Sequence, residues 1–252
     1  MLHEFWQGRL DPSRLIFSIA GAFDEDEVLR LCEQHFGGLK GTSAPLAGME
    51  EAGGAHETVL FDRKLEQVNF CFGVTGPTRH SESRYAWALY DSILGEGTGS
   101  RLFDEVRERR GLAYSIGSSV ATMHNAGFLD ISGSTRPEYA ATALEICFSE
   151  IAKMGDEGPT EQEMTIAKRQ LERTLLLADE YTSVRAAVNA ERELYGQEHL
   201  STEEVLEKLM ALTTEDVRSI GQKVQNFGRP AACIVGPLQE AKGVEEVFER
   251  SA

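Results

Sequence analysis

A chain of 252 residues has room for one large domain, or one and a fraction, with a sizeable core. Its 41 acidic residues against 25 basic ones leave a formal charge of −16, which argues against nucleic acid and anionic lipid as partners. At 41% hydrophobic and 26% charged residues, with seven prolines, the composition is globular and excludes collagen or a disordered chain.

The longest mainly apolar stretch, residues 15–23, is broken by Ser18 and Gly21 and falls far below the ~20 residues that span a bilayer. The first residues lack a basic start, a continuous apolar run and a small-residue cleavage site. No membrane span or leader is read, and the expectation leans to the cytoplasm. Cys32, Cys71, Cys147 and Cys233 are spaced for neither a disulfide framework nor a clustered metal site. They read as buried thiols, Cys71 and Cys233 within strand-like runs.

In chain order, residues 2–6 read as helical. Residues 15–20 read as a short strand, followed by Gly21 and by an acidic helix from Asp24 through Val28 and Cys32 to Phe36, stopped by Gly37 and Gly38. The order recurs near the other end: a helix over residues 217–224, a strand at Ala232, Cys233, Ile234 and Val235, the turn Gly236, and a helix from Val244 to Phe248. The chain thus reads as starting inside a repeat. Residues 1–43 are the expected tail of one homologous domain, 44–60 a Gly/Ala/Ser/Thr-rich linker, and 61–252 a complete second copy.

Strict alternation at Val68, Phe70, Phe72 and Val74 predicts a half-buried strand ending at Gly76 and Pro77. Tyr85, Leu89 and Ile93 predict a helix stopped at Gly95, then a glycine-interrupted loop, then a helix over residues 101–110. Strands are expected over residues 112–120 and 127–134. Thr160 with Glu163, Ser201 with Glu204, and Thr213 with Asp216 fit or approximate capping boxes. Met164, Ala167, Leu171 and Leu175 give the helix after the first of these caps an apolar stripe, as do Val205, Leu206, Leu209 and Leu212 the next. The expected fold is α+β, a mixed, mainly antiparallel sheet covered by helices.

Several chemistries fail on spacing. The loop from Gly95 to Ser100 has neither the Gly-Lys-Ser/Thr ending of a phosphate loop nor the third glycine of a dinucleotide fold, and it comes after a helix. It reads as a tight interhelical turn. No two of the six histidines are four apart; His3-Glu4-Phe5-Trp6-Gln7 has Gln7 where a second zinc ligand would stand, and no His-x-x-Glu-His occurs. No Gly-x-Ser-x-Gly elbow supports a serine nucleophile.

One stretch is specific: Gly99-Ser100-Arg101-Leu102-Phe103, then Arg107-Glu108, then Gly111-Leu112-Ala113-Tyr114. It resembles the second, zinc-free homologous domain of the pitrilysin/insulinase family of zinc peptidases. The resemblance implies a clamshell of homologous halves, in one chain or as a dimer of subunits, with peptide enclosed between them and zinc held only by the other half. It therefore implies no cofactor bound by this chain, zinc in the partner, no activity of the chain alone, and substrate-contacting Arg107 and Tyr114. Hydrolysis develops negative charge on a carbonyl oxygen, and a guanidinium with a phenol can donate to it. With Gly111 at the corner, the helix's last turn would lie beside the strand's first residues.

Plainer roles are open to both residues. On a regular helix Arg107 lies about 90° from the stripe of Leu102, Phe103 and Val106, an ordinary edge position. It could pair with Asp104, and Arg109 and Arg110 are equally available. Tyr114 alternates with Leu112 and Ile116 as an ordinary sheet-face aromatic would. An alternative function also stands: an inactive scaffold or assembly subunit, like the core proteins of the respiratory cytochrome complex. The net charge would favour basic or unfolded peptides.

Overall fold

The computed structural model describes residues 2–3, 12, 15–39 and 57–250. It contains two compact units. One comprises Met1–Glu50 and Thr174–Thr202, the other Glu51–Arg173 and Glu203–Ala252.

The larger unit is built on a five-stranded sheet. Its strands are β1 (Thr58–Asp62), β2 (Val68–Thr75), β3 (Ala113–Thr122), β4 (Gly127–Thr135) and β5 (Ala231–Gly236), in spatial order β1-β5-β2-β4-β3. Only β1 and β5 run parallel; the other pairings are antiparallel, so the α+β expectation holds. In β2 the predicted alternation is realised: Val68, Phe70 and Phe72 are buried and Asn69 and Cys71 exposed. Leu129 and Ile131 of β4 and Ala232 and Ile234 of β5 join them on the inner face.

Helices cover that inner face: α2 (Arg84–Leu94), α3 (Ala140–Asp156), α7 (Thr214–Gln225) and α8 (Val244–Arg250). Phe72 of β2, Phe148 of α3 and Phe248 of α8 interlock with ring centroids 4.8 to 5.7 Å apart, offset-stacked or edge-on as aromatic quadrupoles prefer. Helix α3 is not among the elements read from the sequence, although Leu144, Cys147 and Met154 are fully buried. Its polar residues are few, so the contrast that marks an amphipathic face is weak. Between α3 and α7 run α4 (Glu161–Asp179), α5 (Thr182–Tyr195) and α6 (Thr202–Ala211). Thr160 with Glu163 and Thr213 with Asp216 form the predicted capping boxes of α4 and α7.

The smaller unit holds α1 (Glu25–Phe36), capped by Asp24 and ended at Gly37 as expected, together with α5. Residues 15–20 are not a strand, because no strand among the described residues pairs with them; the Leu15 N–H donates to the Pro12 carbonyl at 3.3 Å. Ile16, Phe17 and Ile19 are accordingly exposed, with Phe17 resting on Phe36 at 4.4 Å between ring centroids. Most of the expected N-terminal helix, residues 40–43 at the end of the expected tail, and residues 44–56 of the expected linker lie outside the described residues.

Two further expectations change. Residues 103–108 form a π-helix: the Arg109 N–H donates to the Asp104 carbonyl, five residues back, at 2.8 Å, so a regular helical wheel misplaces the residues beyond it. Of the four cysteines only Cys147 is buried; Cys71 and Cys233 are exposed. Their strands have one covered face, and the two-residue period assigns that face to their phenylalanine, alanine and isoleucine neighbours.

Candidate functional site

The corner between the π-helix and β3 is fastened from both sides. Gly111, at φ +60°, turns the chain in the left-handed region open to glycine; its N–H donates to the Arg107 carbonyl at 3.0 Å, and the Leu112 N–H to the Val106 carbonyl at 2.9 Å. Val106, Ala113 and Ala143 form a buried cluster beneath it, with Leu112, Ile116 and Ile146 packed alongside. Thr135 Oγ1 donates to the Leu112 carbonyl at 2.5 Å. The backbone carrying Arg107 and Tyr114 is thereby held rigidly while both side chains face solvent.

Tyr114 does not follow plain alternation. Ala113 pairs with Thr135 and Ser115 with Ser134, so Tyr114 is the extra residue of a β-bulge on the edge strand of the sheet, and it is 76% exposed. A bulge of this kind redirects a side chain from its place in the pleat. The Arg107 guanidinium carbon lies 5.9 Å from the Tyr114 ring centroid and 4.9 Å from that of Phe103.

Arg107 in this helix and Arg109 and Arg110 just after it are not equivalent. Arg109 pairs with Asp104 at 2.8 Å and with Glu105 at 2.9 Å, and Arg110 pairs with Glu105. Asp104 thus takes Arg109 rather than Arg107. Among the described residues no carboxylate lies within ion-pair distance of Arg107, whose guanidinium is left with two aromatic faces and solvent.

Two groups nearby went unread in the sequence. Arg101 of the Ser-Arg-Leu-Phe run reaches Glu163 Oε1 at 2.7 Å, Glu163 Oε2 at 2.9 Å and the Gly158 carbonyl at 3.1 Å, with Glu150 at 3.9 Å. It is a tie between the π-helix and α4. Asp91 on α2, only 8% exposed, accepts from Ser118 Oγ and from the Val120 N–H on β3; burial pushes its carboxyl up to about 6. A Cβ on Gly95 would stand 2.3 Å from Ser118 N, so that glycine allows α2 to end against β3. No local pattern announces contacts this distant in sequence.

The sheet's other face carries an open, mainly apolar depression of about 780 Å³, lined among others by Cys71, Gly73, Phe128, Asp130, Phe227 and Cys233. Arg107 and Tyr114 do not line it. Among the described residues no three His, Cys, Asp or Glu side chains are grouped to hold a metal ion, and no helix is long and apolar enough to cross a membrane.

Residues 1–171 match the model of the Peptidase M16 inactive domain. The chain belongs to the M16 peptidase family. An uncharacterised zinc protease of Streptomyces coelicolor is 32% identical to it over 246 residues, covering 95% of this chain and 53% of its own length. One of Mycobacterium tuberculosis is 32% identical over 240 residues, covering 94% and 55%. The chain therefore spans about half the length of these relatives. A crystal structure titled as a peptidase M16 inactive domain from Pseudomonas fluorescens superposes with a TM-score of 0.77 at 24% identity, over 85% of this chain and 52% of that one. A chain of Complex III2 from Candida albicans superposes with the same TM-score of 0.77 at 17% identity, over 92% and 57%. These two likenesses concern the fold alone. The pitrilysin/insulinase-type inactive domain anticipated from Arg101 to Tyr114 is the M16 domain that the family model matches.

Proposed function

We propose that this M16 inactive domain is the substrate-binding, non-metal half of a zinc-dependent endopeptidase. Arg107 and Tyr114 donate hydrogen bonds to the carbonyl oxygen of a peptide bond that is cleaved at zinc held by a partner domain or subunit. The observation that carries the reading is the Arg107 guanidinium, without a carboxylate partner among the described residues and 5.9 Å from the exposed Tyr114 ring, on a helix followed by two arginines that are ion-paired. A permanently charged donor fork and a phenol O–H suit an oxygen that gains negative charge. Zinc does not fit the described residues of this chain, where no three ligating side chains converge.

The segmentation supports the same reading. Strand β5 is paired on both sides, whereas residues 15–20, which open the same strand–glycine–helix order, have Ile16, Phe17 and Ile19 exposed. On this reading a preceding homologous domain pairs with that segment and covers it, residues 1–43 are its tail and 61–252 are the zinc-free copy. The charge of −16 attracts peptides rich in Lys and Arg at low salt.

The test is reconstitution. The chain alone should not cleave a fluorogenic peptide, and its complex with the zinc-bearing homologous half should. A complex that forms, as seen by size-exclusion chromatography, yet cleaves neither cationic nor neutral peptides would overturn the reading and leave the scaffold function.

A further inference from the structure

Cys71 and Cys233 are partners in register on the adjacent antiparallel strands β2 and β5. Both side chains leave the sheet on its open side, and both line the depression there, within reach of small molecules. The backbone decides what kind of pair they form. The Ala232 N–H donates to the Glu57 carbonyl at 2.9 Å and the Arg63 N–H to the Gly236 carbonyl at 2.8 Å. Even-numbered residues of β5 therefore turn their backbone groups toward β1 and odd-numbered ones, Cys233 included, toward β2. In such a hydrogen-bonded antiparallel pair the Cα atoms are about 5.5 Å apart. A disulfide spans roughly 4.4–6.8 Å between Cα atoms.

We propose that Cys71 and Cys233 are an oxidisable pair that closes into a cross-strand disulfide on the floor of the open depression, pinning β2 to β5. The oxidant is a small-molecule disulfide such as oxidised glutathione. One cysteine thiolate attacks it and expels a glutathione thiolate; the second cysteine, deprotonated, then attacks the protein sulfur of the mixed disulfide and expels the other. Two protein thiols lose two electrons, one glutathione disulfide becomes two thiols, and the two protons released by the cysteines pass to the departing thiolates. Partial loss of water around Cys71 on the floor of the depression, with Asp130 and Cys233 adding to it, pushes its thiol up, so mildly alkaline solution favours the exchange. No third ligating group completes a metal site with the pair among the described residues.

The folded full-length chain is incubated with oxidised glutathione at pH 8, alkylated under denaturing conditions, digested and mapped by mass spectrometry. The expected result is a peptide linking Cys71 to Cys233, loss of two of the four titratable thiols, and recovery of both with dithiothreitol. In Cys71→Ser the linked peptide should be absent. Recovery of both cysteines as alkylated thiols, or as two separate glutathione adducts, would overturn the proposal. The readout needs no peptidase activity, so its failure is distinguishable from failure of the peptidase reading.

Discussion

Arg101 and Glu163, 62 residues apart in sequence, form a two-pronged ion pair, Nε to Oε1 at 2.7 Å and Nη2 to Oε2 at 2.9 Å. The same carboxylate accepts from the Thr160 N–H at 2.8 Å and from Thr160 Oγ1 at 2.9 Å, so one side chain both caps α4 and anchors the helix that carries Arg107. Burial opposes ionisation of Glu163, but Arg101 and the Thr160 donors outweigh it and hold the carboxyl below its ordinary value. Arg101→Met should cost about 3 kcal/mol by leaving Glu163 without its cation, whereas Glu150 keeps Lys153 at 2.6 Å. Thr160→Ala should cost about 1 kcal/mol. In urea denaturation the double variant should depart from the sum of the two, since both act through Glu163; strict additivity would argue against a shared carboxylate.

Arg107→Ala and Tyr114→Phe should each lower kcat of the reconstituted peptidase by ~10-fold or more with little change in KM, the pattern of donors that act in the transition state. Arg109→Ala, which removes two surface ion pairs, should leave turnover within about 2-fold and stability within ~1 kcal/mol. Equal kcat for all three variants would remove Arg107 and Tyr114 from the chemistry.

Gly111→Ala places a side chain at φ +60°. There is open space around it, so the expected cost is backbone strain alone, about 1 kcal/mol in thermal or chemical unfolding. Because this corner sets the last helical turn against the bulge, activity should fall further than stability predicts. Stability loss with unchanged turnover would show that the corner is not needed for the site's geometry.

Asp91 provides a pH test. Burial lifts its carboxyl to about 6, and the Ser118 and Val120 donors offset only part of that. The unfolded value is near 3.9, so the folded chain holds an extra proton between roughly pH 4 and 6. This group's contribution is fully present below about pH 4 and is lost as pH rises through 6. Asp91→Asn, which cannot ionise, should gain relative to wild type by about 2–3 kcal/mol between pH 4 and 7. Parallel stability profiles for the two proteins over that range would refute the shift.

Much of this architecture is written in short-range pattern. The alternation from Val68 to Val74, the stripe of α2 stopped at Gly95, and the capping boxes at Thr160 and Thr213 each depend on residues within a few positions of one another. The run from Ser100 to Tyr114, which carries the resemblance in the sequence, lies within the residues 1–171 that the family model matches.

Other features depend on partners far along the sequence. Residues 15–20 look like a strand, but a strand exists only where a neighbour accepts its hydrogen bonds. The extra residues of the π-helix and of the bulge at Tyr114 arise where a helix end, an edge strand and α3 must pack together. Cys71 and Cys233 read as buried because each sits among apolar neighbours; it took the helices on one side of the sheet, and the register of β2 against β5, to turn both outward and set them face to face. Periodicity and caps are local energies, legible one segment at a time. Which arginine stays unpaired and which thiols meet are decided only when distant segments share one packed sheet.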